Sequence, residues 1–280
     1  MTLATTADLI AGARLAGVGI PAFNVITLEH AEAIAAGAEL TGCPVILQIS
    51  QNAVNFHGGR LAPIAAASVQ VAQSSSAPIS VHVDHVQEPS VLRQAADTGI
   101  SSAMFDASHL NYAANVEATR AATQWAHERG MLLEAELGEV GGKDGAHAPG
   151  VRTDPLEAAS FVEATGVDAL AVAVGSSHAM LDRTAALDLD LITALASSLK
   201  VPLVLHGSSG VSEEMLSQAV RAGMVKINVG TILNVAWTRA IRQALDSDSG
   251  VVDPRSYLRP ARDAVGEVVA RLCTVIGGSR

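Results

Sequence analysis

Residues 79–107, ISVHVDHVQEPSVLRQAADTGISSAMFDA, contain a strand–helix–strand unit that decides the fold of this chain. The first seven and the last seven residues form short, mostly apolar runs, which are typical of buried strands. A helix is predicted between them at 89–98, because Pro89 suits a first helical turn and Gly99 suits a helix end. The stretch therefore predicts two parallel strands joined by a helix that covers them.

The same alternation continues along the whole chain. Strands are predicted at 19–25, 45–50, 79–85, 101–107, 132–138, 169–175, 202–207 and 226–230. Helices are predicted at 27–41, 60–75, 89–98, 111–129, 155–165, 189–199, 212–222 and 231–247, with a further amphipathic helix at about 259–276. This pattern favours an α/β fold, a (β/α)8 TIM barrel with an extra C-terminal helix, over an open doubly wound sheet. Because no linker is visible, residues 1–280 are assigned to one domain.

Composition and charge narrow the classes of function. Hydrophobic residues make up 49% of the 280 residues, enough for a large core, and the net charge of −10 argues against nucleic-acid binding. A small phosphorylated ligand is still compatible, because backbone N–H groups and a few arginines can hold it. Cys43 and Cys273 are predicted to be buried, reduced thiols. No signal peptide or membrane-spanning run is recognised, so a cytoplasmic location without membrane association is expected.

Polar residues at the predicted strand ends are the candidates for chemistry, because barrel enzymes place their catalytic groups there. His85, His178 and His206 end or follow three different strands, which favours a catalytic zinc site over three unrelated hydrogen-bonding histidines. Asp84 lies beside His85 and suits either acid–base catalysis or the fixing of a helix N-terminus or a metal ligand.

Further carboxylates occur on neighbouring strands. Asp106 and Glu136 could complete an alternative metal position or orient a ligand histidine. Glu134 has the same strand parity as Glu136, and a buried polar network within a barrel layer is predicted for it.

Three loops are candidates for substrate contacts. The turns HGSSG (206–210) and NVGT (228–231) follow the seventh and eighth strands, where barrels frequently bind phosphate, although such turns are also ordinary tight connections. The long connection EVGGKDGAHAPGVRT (139–153) suits either an active-site lid carrying Asp144 or a solvated loop.

The lysines bear on the type of carbonyl chemistry. Imine formation needs a lysine buried inside the barrel, and the chain has only Lys143, Lys200 and Lys226. Lys226 is predicted to open the eighth strand, at the end away from the site. Metal chemistry is therefore preferred over imine chemistry.

The chain resembles the class II fructose-bisphosphate and tagatose-bisphosphate aldolases over essentially its full length. The segments that carry the resemblance are PAFN (21–24), VHVDH (81–85), MFDASHL (104–110), EAELGEVGG (134–142), LAVAVGSSH (170–178), PLVLHGSSG (202–210), KINVGT (226–231) and DPRSYL (253–258). The resemblance implies zinc-dependent, reversible retro-aldol cleavage of fructose or tagatose 1,6-bisphosphate to dihydroxyacetone phosphate and glyceraldehyde 3-phosphate. Two alternatives are a related aldolase for another phosphorylated ketose or keto-acid, and a non-catalytic sugar-phosphate-binding barrel.

The resemblance also implies roles for individual residues. Zinc would be bound by His85, His178 and His206, and a second divalent or monovalent cation is an open alternative, with Asp106 and Glu136 at a second or alternative metal position. Asp84 would be the acid–base group, and Asp144 a loop proton-transfer group where relatives have Glu. The implied substrate and phosphate contacts are Asn24, Ser50, Ala179, Gly207, Ser208, Ser209, Asn228, Val229, Gly230, Thr231 and Arg255.

The resemblance also predicts that the chain forms a homo-oligomer, and two residues depart from the family's usual pattern. Ala179 replaces a frequent Gly, and Gly230 replaces an Asp common in fructose-bisphosphate enzymes. Arg255 would bind the distal phosphate, within the subunit or across an interface. A homo-oligomer, either a dimer or a tetramer, is implied, with the helix after residue 258 as a candidate contact.

Overall fold

The structure, a computed structural model, describes residues 3–137, 152–176 and 185–278. Within these ranges the strands are β1 (Ile20–Asn24), β2 (Val45–Ser50), β3 (Ile79–Val86), β4 (Ser102–Phe105), β5 (Leu132–Glu136), β6 (Ala169–Ala171), β7 (Leu203–Leu205) and β8 (Met224–Val229). They pair in parallel in chain order, and β8 closes the sheet on β1. This closed barrel confirms the predicted fold and rules out the open doubly wound sheet.

Helices surround the barrel and follow its strands. They are α1 (Thr6–Ala16), α2 (Leu28–Thr41), α3 (Gln51–Phe56), α4 (Ala62–Ser74), α5 (Pro89–Ala96), α6 (Tyr112–His127), α7 (Pro155–Thr165), α8 (Leu189–Ser198), α9 (Glu213–Ala222), α10 (Thr231–Ser247) and α11 (Arg255–Gly277). The sequence-based prediction lacks α1 and α3. Helix α3 has only 6 residues, and a helix of that length owes most of its stability to tertiary packing. It also places the start of α11 at about 259, whereas the helix begins at Arg255.

Local capping explains why several helices begin where they do. The side chain of Asp154 accepts hydrogen bonds from the backbone N–H groups of Leu156 and Glu157, and Pro155 occupies the first helical position of α7. The Ser50 hydroxyl accepts from the Ala53 N–H and begins α3 at the end of β2. These contacts satisfy N–H groups that have no partner within the helix.

The core has an outer and an inner part. The largest buried cluster lies between the strands and the helices around them. A second cluster fills one end of the barrel interior, where Ile20, Ile46 and Val225 from three strands meet Ile10 and Ala13 of α1. Helix α1 packs on β1, β3 and β8 at this end. It therefore closes the amino-terminal end of the barrel and leaves the carboxyl-terminal end for the site.

The C-terminal helix packs on α2 and α10. At the closest point, a Cβ on Gly37 would lie 2.7 Å from the carbonyl oxygen of Gly266, so only glycine permits this approach. Cys43 and Cys273 are buried, reduced thiols, as predicted. Among the described helices, none has the length and apolar character needed to cross a membrane.

Candidate active site

A cavity of about 450 Å³ opens at the carboxyl-terminal ends of the strands. The described residues that line it are mostly polar: Asn24, Gln48, Ser50, Gln51, Asn52, Asp84, His85, Gln87, Asp106, Gly207, Ser208, Ser209, Asn228, Gly230, Thr231 and Asn234. Besides Asp84, ten of the sequence-predicted site residues belong to this lining: Asn24, Ser50, His85, Asp106, Gly207, Ser208, Ser209, Asn228, Gly230 and Thr231. The strand ends therefore converge as the pattern predicts.

An irregularity in β3 turns two consecutive side chains toward the cavity. Alternation along a strand would send Asp84 and His85 to opposite faces. His85 has φ of 49°, and the pairing of β3 with β4 shifts register between Val83 and Val86. A non-glycine residue with positive φ is uncommon and strained, and such residues concentrate at functional sites.

Asp84 is held on the cavity floor by amides. Its side chain is almost completely buried, and its Oδ2 accepts a hydrogen bond from Gln48 Nε2 at 3.0 Å. The Asn228 amide lies 3.5 Å from Oδ1, and Gln48 Nε2 also donates to Asn24 Oδ1 at 2.9 Å. Burial raises the pKa of Asp84 above its ordinary value, despite the opposing charges of His85 and Lys226.

Gln48 is a site residue that the sequence analysis missed. The available signal is a single amide within the otherwise apolar run VILQIS (45–50). A buried amide in a barrel strand needs partners, and here those partners are Asn24 and Asp84.

His85 and Asp106 form a pair at the rim. His85 Nδ1 lies 3.0 Å from Asp106 Oδ2, and Asp106 Oδ1 accepts from the Ser108 hydroxyl at 2.6 Å. Burial lowers the pKa of His85, but the charge of Asp84 and the hydrogen bond to Asp106 outweigh it and raise the pKa to about 10. Burial alone would raise the pKa of Asp106, but the bonds from His85 and Ser108 hold it well below its usual range.

His206 follows β7 and lies beneath the cavity floor, with a carboxylate behind it. Its Nε2 is 3.0 Å from Glu134 Oε1, and Glu134 Oε2 accepts from Lys226 Nζ at 2.7 Å. Glu134 therefore belongs to a buried polar network, as predicted, and it also contacts a candidate metal ligand.

The two histidines point nitrogen atoms at each other. Nε2 of His85 and Nδ1 of His206 are 2.9 Å apart, while the second nitrogen of each ring faces a carboxylate. With N–H groups directed at the carboxylates, two lone pairs face one another, and a proton or a metal cation between them stabilises this arrangement. Two nitrogen ligands of one tetrahedral zinc lie about 3.3 Å apart, so the spacing suits zinc.

Two groups of described side chains bring three potential ligand atoms within 4.8 Å of one another: Asp84, His85 and His206, and His85, Asp106 and Glu136. Imidazole nitrogens with carboxylate oxygens form a donor set that fits zinc. The first group includes the predicted ligands His85 and His206, and the second contains the predicted alternative position. The third predicted ligand, His178, lies outside the described residues, as do Ala179 and Asp144.

The predicted position of Lys226 at the start of the eighth strand is wrong. This lysine does not open β8 at the far end, because β8 begins at Met224 and Lys226 is a fully buried residue of the barrel interior. Its ammonium group is bonded to Glu134, and the residue is not part of the described cavity lining. A substrate carbonyl in the cavity therefore does not reach it, which agrees with the preference for metal chemistry.

The two glycine-rich turns lie side by side at one wall of the cavity. Gly207, with φ of 65°, permits the sharp turn after His206. Ser208 donates a hydrogen bond to the Asn228 carbonyl, and the Ser209 hydroxyl accepts from the Ile232 N–H at 3.3 Å in the first turn of α10. The N-terminus of α10 therefore faces the cavity between these turns, an arrangement that binds anions.

Three predicted substrate contacts, Gly230, Val229 and Arg255, lie in different surroundings. A Cβ on Gly230 would lie 3.0 Å from Asn24 Nδ2, so Asn24 occupies the space that a side chain at 230 would need. The Val229 side chain packs into the outer core, which leaves only its backbone for a ligand. Arg255 has a side chain that is 83% exposed and paired with Asp253, and it is not part of the described cavity lining of its own subunit.

Comparisons with known proteins agree with the fold and indicate the family. Residues 4–280 match the family model described as Fructose-bisphosphate aldolase class-II. Fructose-bisphosphate aldolases from Staphylococcus epidermidis and Staphylococcus aureus are each 35% identical over 272 residues, covering 96% of this chain and 95% of theirs. The crystal structure of the YdjI aldolase from Escherichia coli superposes with a TM-score of 0.85 at 29% identity, covering 99% of this chain and 98% of that one.

A closed parallel barrel with histidines and carboxylates at its carboxyl-terminal end is the architecture of a barrel enzyme. The chain belongs to the class II fructose-bisphosphate aldolase family, as the resemblance implies. It is an aldolase, a carbon–carbon lyase, and this disfavours the non-catalytic alternative.

Proposed function

We propose that this protein performs the zinc-dependent, reversible retro-aldol cleavage of fructose or tagatose 1,6-bisphosphate. The products are dihydroxyacetone phosphate and glyceraldehyde 3-phosphate. The observation that carries the proposal is the 2.9 Å approach of His85 Nε2 and His206 Nδ1 beside the buried carboxyl group of Asp84. This proximity supports a metal position next to an acid–base group at the floor of the cavity.

The phosphate on C1 binds between the two glycine-rich turns. Backbone N–H groups at the start of α10, together with Ser209 and Thr231, face this part of the cavity. The partial positive charge of a helix N-terminus stabilises a phosphate, which orients the ketose with its C2 to C4 region over the cavity floor.

Asp84 handles the proton at the C4 hydroxyl. Its Oδ2 lies 3.9 Å from His85 Nε2, so a substrate hydroxyl next to the histidine pair is within its reach. As Asp84 takes this proton, the C3–C4 bond breaks, C4 becomes an aldehyde, and the electron pair passes into the C2–C3 fragment. A proton is then added at C3, a step assigned by resemblance to Asp144.

His85 and His206 would hold the zinc ion, with His178 as the third ligand implied by the resemblance. When bound, zinc supplies Lewis-acid stabilisation of the negative charge that develops on the ketose oxygens. Asp106 orients His85, and Glu134 orients His206, each through the ring nitrogen that faces away from the zinc position. Asp106 and Glu136 offer the alternative metal position.

A second candidate substrate is a ketose that carries one phosphate, or a phosphorylated keto-acid. The observation that favours it is the neutral amide character of the cavity wall, formed by Asn24, Gln48, Gln51, Asn52, Gln87, Asn228 and Asn234. Amides donate to and accept from sugar hydroxyls, so this wall suits an uncharged polyol segment.

We also propose a cytoplasmic homo-oligomer of single-domain subunits. Phosphorylated sugars do not cross membranes unaided, because a charged phosphate is costly to place in hydrocarbon. An oligomer would give Arg255, which is exposed, a route to a neighbouring subunit's cavity.

The test is release of triose phosphate from fructose 1,6-bisphosphate and tagatose 1,6-bisphosphate by purified protein. The assay is run with zinc, with a chelator, and with zinc restored after the chelator. We expect cleavage of at least one substrate, its loss with the chelator and its recovery with zinc.

The matched variants are His206→Asn, a candidate ligand, and His127→Asn, an exposed histidine paired with Asp168 on the surface. The first loses bound zinc and activity, and the second keeps both. If zinc-loaded protein cleaves neither bisphosphate, the monophosphorylated ketose becomes the proposed substrate; activity that survives complete removal of metal contradicts the proposal.

A further inference from the structure

A row of three buried side chains crosses the barrel interior below the cavity. It consists of His206, Glu134 and Lys226, which come from three different strands or strand ends. Glu134 Oε1 lies 3.0 Å from His206 Nε2, and Glu134 Oε2 lies 2.7 Å from Lys226 Nζ. Glu134 and Lys226 are both 0% exposed, so neither contacts solvent or a substrate in the cavity.

A buried ion pair of this kind is weak evidence for stability. Removing both charges from water costs several kcal/mol per ion, and well-packed apolar residues in the same space are often as stable or more so. The neighbouring positions show that apolar packing is available here, because Met104, Ala169, Ala171 and Val204 fill part of the same interior. The pair therefore invites an explanation beyond packing.

The orientation of His206 supplies that explanation. Two groups lie 3.0 Å from His206 Nε2: the Glu134 carboxylate oxygen, which can only accept, and the side-chain nitrogen of Asn228, which can only donate. The carboxylate is charged and forms the stronger hydrogen bond, so Nε2 carries the ring proton. The lone pair is then on Nδ1, which points at His85 Nε2 across 2.9 Å. His85 has the opposite arrangement, since its Nδ1 faces Asp106 and its Nε2 points inward.

We propose that Glu134 and Lys226 are positioning residues that select the His206 tautomer able to bind metal through Nδ1. Lys226 acts through Glu134, by holding one carboxylate oxygen so that the other faces the ring. The inference rests on the proposed metal site but does not depend on which ketose is cleaved.

Neighbouring contacts anchor the row. Lys226 contacts Glu134 at its far oxygen, and His82 Nε2 lies 3.9 Å from the same oxygen. His82 Nδ1 is in turn 2.8 Å from the hydroxyl of Ser102, which bonds to Thr6 of α1. The 3.9 Å distance is too long for a hydrogen bond, so Lys226 is the group that holds this carboxylate oxygen.

The first test needs no variant. Protein with ¹⁵N-labelled histidine and no metal is examined by long-range ¹⁵N–¹H correlation at a pH where His206 is neutral. We expect the proton of His206 on Nε2. A proton on Nδ1 overturns the proposal.

The second test measures zinc affinity by competition with a chelator. Glu134→Gln keeps the shape of the side chain, and the double variant Glu134→Leu with Lys226→Met removes both charges together. We expect zinc to bind each about 10-fold to 100-fold more weakly, the usual effect of losing an outer-shell partner. The matched control is Ser68→Ala on α4, an equally buried polar residue outside this row, for which we expect a change of less than about threefold.

The outcomes separate this inference from the proposed function. Weaker zinc binding with an unchanged KM for substrate at saturating zinc supports positioning. Zinc affinity within about threefold of wild type in a folded variant overturns the inference even if the enzyme cleaves a bisphosphate. Weaker binding in a protein that cleaves neither bisphosphate leaves the inference standing and removes the proposed substrates.

Discussion

The two ends of the barrel interior are built by the same strands but differ in chemistry. At the carboxyl-terminal end, Asp84, His85 and Asp106 border an open cavity and lie in strained or hydrogen-bonded positions. At the amino-terminal end, Ile20 and Ile46 meet Ile10 of α1 in a buried apolar cluster. In this barrel the reactive groups therefore lie at one end, and the packing that stabilises the fold lies at the other.

The strongest way to sharpen this comparison is Asp84→Asn. We expect kcat to fall by about 1,000-fold, equal to about 4 kcal/mol, because an amide cannot take the C4 hydroxyl proton. The melting temperature and the zinc content should stay close to wild type. Steady-state kinetics with the preferred ketose bisphosphate measure the effect, and a kcat within tenfold of wild type would show that another group moves the proton.

The corresponding change at the closed end is Ile46→Ala. Ile46 is completely buried in the amino-terminal cluster, so the substitution leaves a cavity and costs about 3 kcal/mol of unfolding free energy. We expect kcat and KM to remain unchanged. Urea unfolding and kinetics on the same preparation check both parts, and a large loss of kcat would contradict the division between the ends.

His30 offers a way to separate stability from catalysis at the carboxyl-terminal end itself. His30 lies in the first turn of α2 and stacks on Trp237 with ring centroids 4.3 Å apart, and burial lowers its pKa to about 4. The unfolded chain therefore binds more protons than the folded protein between pH 6.5 and pH 4. Stability through this group is complete above pH 6.5 and is lost as pH falls, by about 2 kcal/mol at pH 5.

His30→Gln removes this linkage. We expect wild type to lose more unfolding free energy than His30→Gln when pH falls from 7.5 to 5.0, with kcat at pH 7.5 the same in both. Equal losses in urea unfolding at the two pH values would show that His30 is not the titrating group.

The smallest expected effect is that of Thr6→Val at the closed end. The Thr6 hydroxyl lies 2.6 Å from that of Ser102 and 3.0 Å from that of Ser80, all buried. Valine keeps the shape but leaves these hydroxyls with one partner fewer, which costs about 1–2 kcal/mol. Thermal unfolding measures the loss; a shift in KM instead would indicate that α1 influences the cavity.

Much of the site could be predicted because it depends on a simple rule of topology. Parallel strands bring their carboxyl ends to one edge, so Asp106 and Asn228 could be placed near His85 without coordinates. The same rule did not find Gln48, because one amide in a strand does not show which side chain it will bond. It also gave no means of placing Arg255, whose surroundings depend on how α11 docks.

The order of residues along this chain was enough for the barrel, the family and the rim of candidate ligands, because alternation of apolar runs and polar strand ends is a local property. Three features needed the folded arrangement: the turn of the backbone at His85, the buried pairing of Lys226 with Glu134, and the closure of the barrel by α1. Each depends on contacts between segments far apart in the chain. Lys226 and Glu134, for example, are 92 positions apart and meet only because the sheet closes on itself.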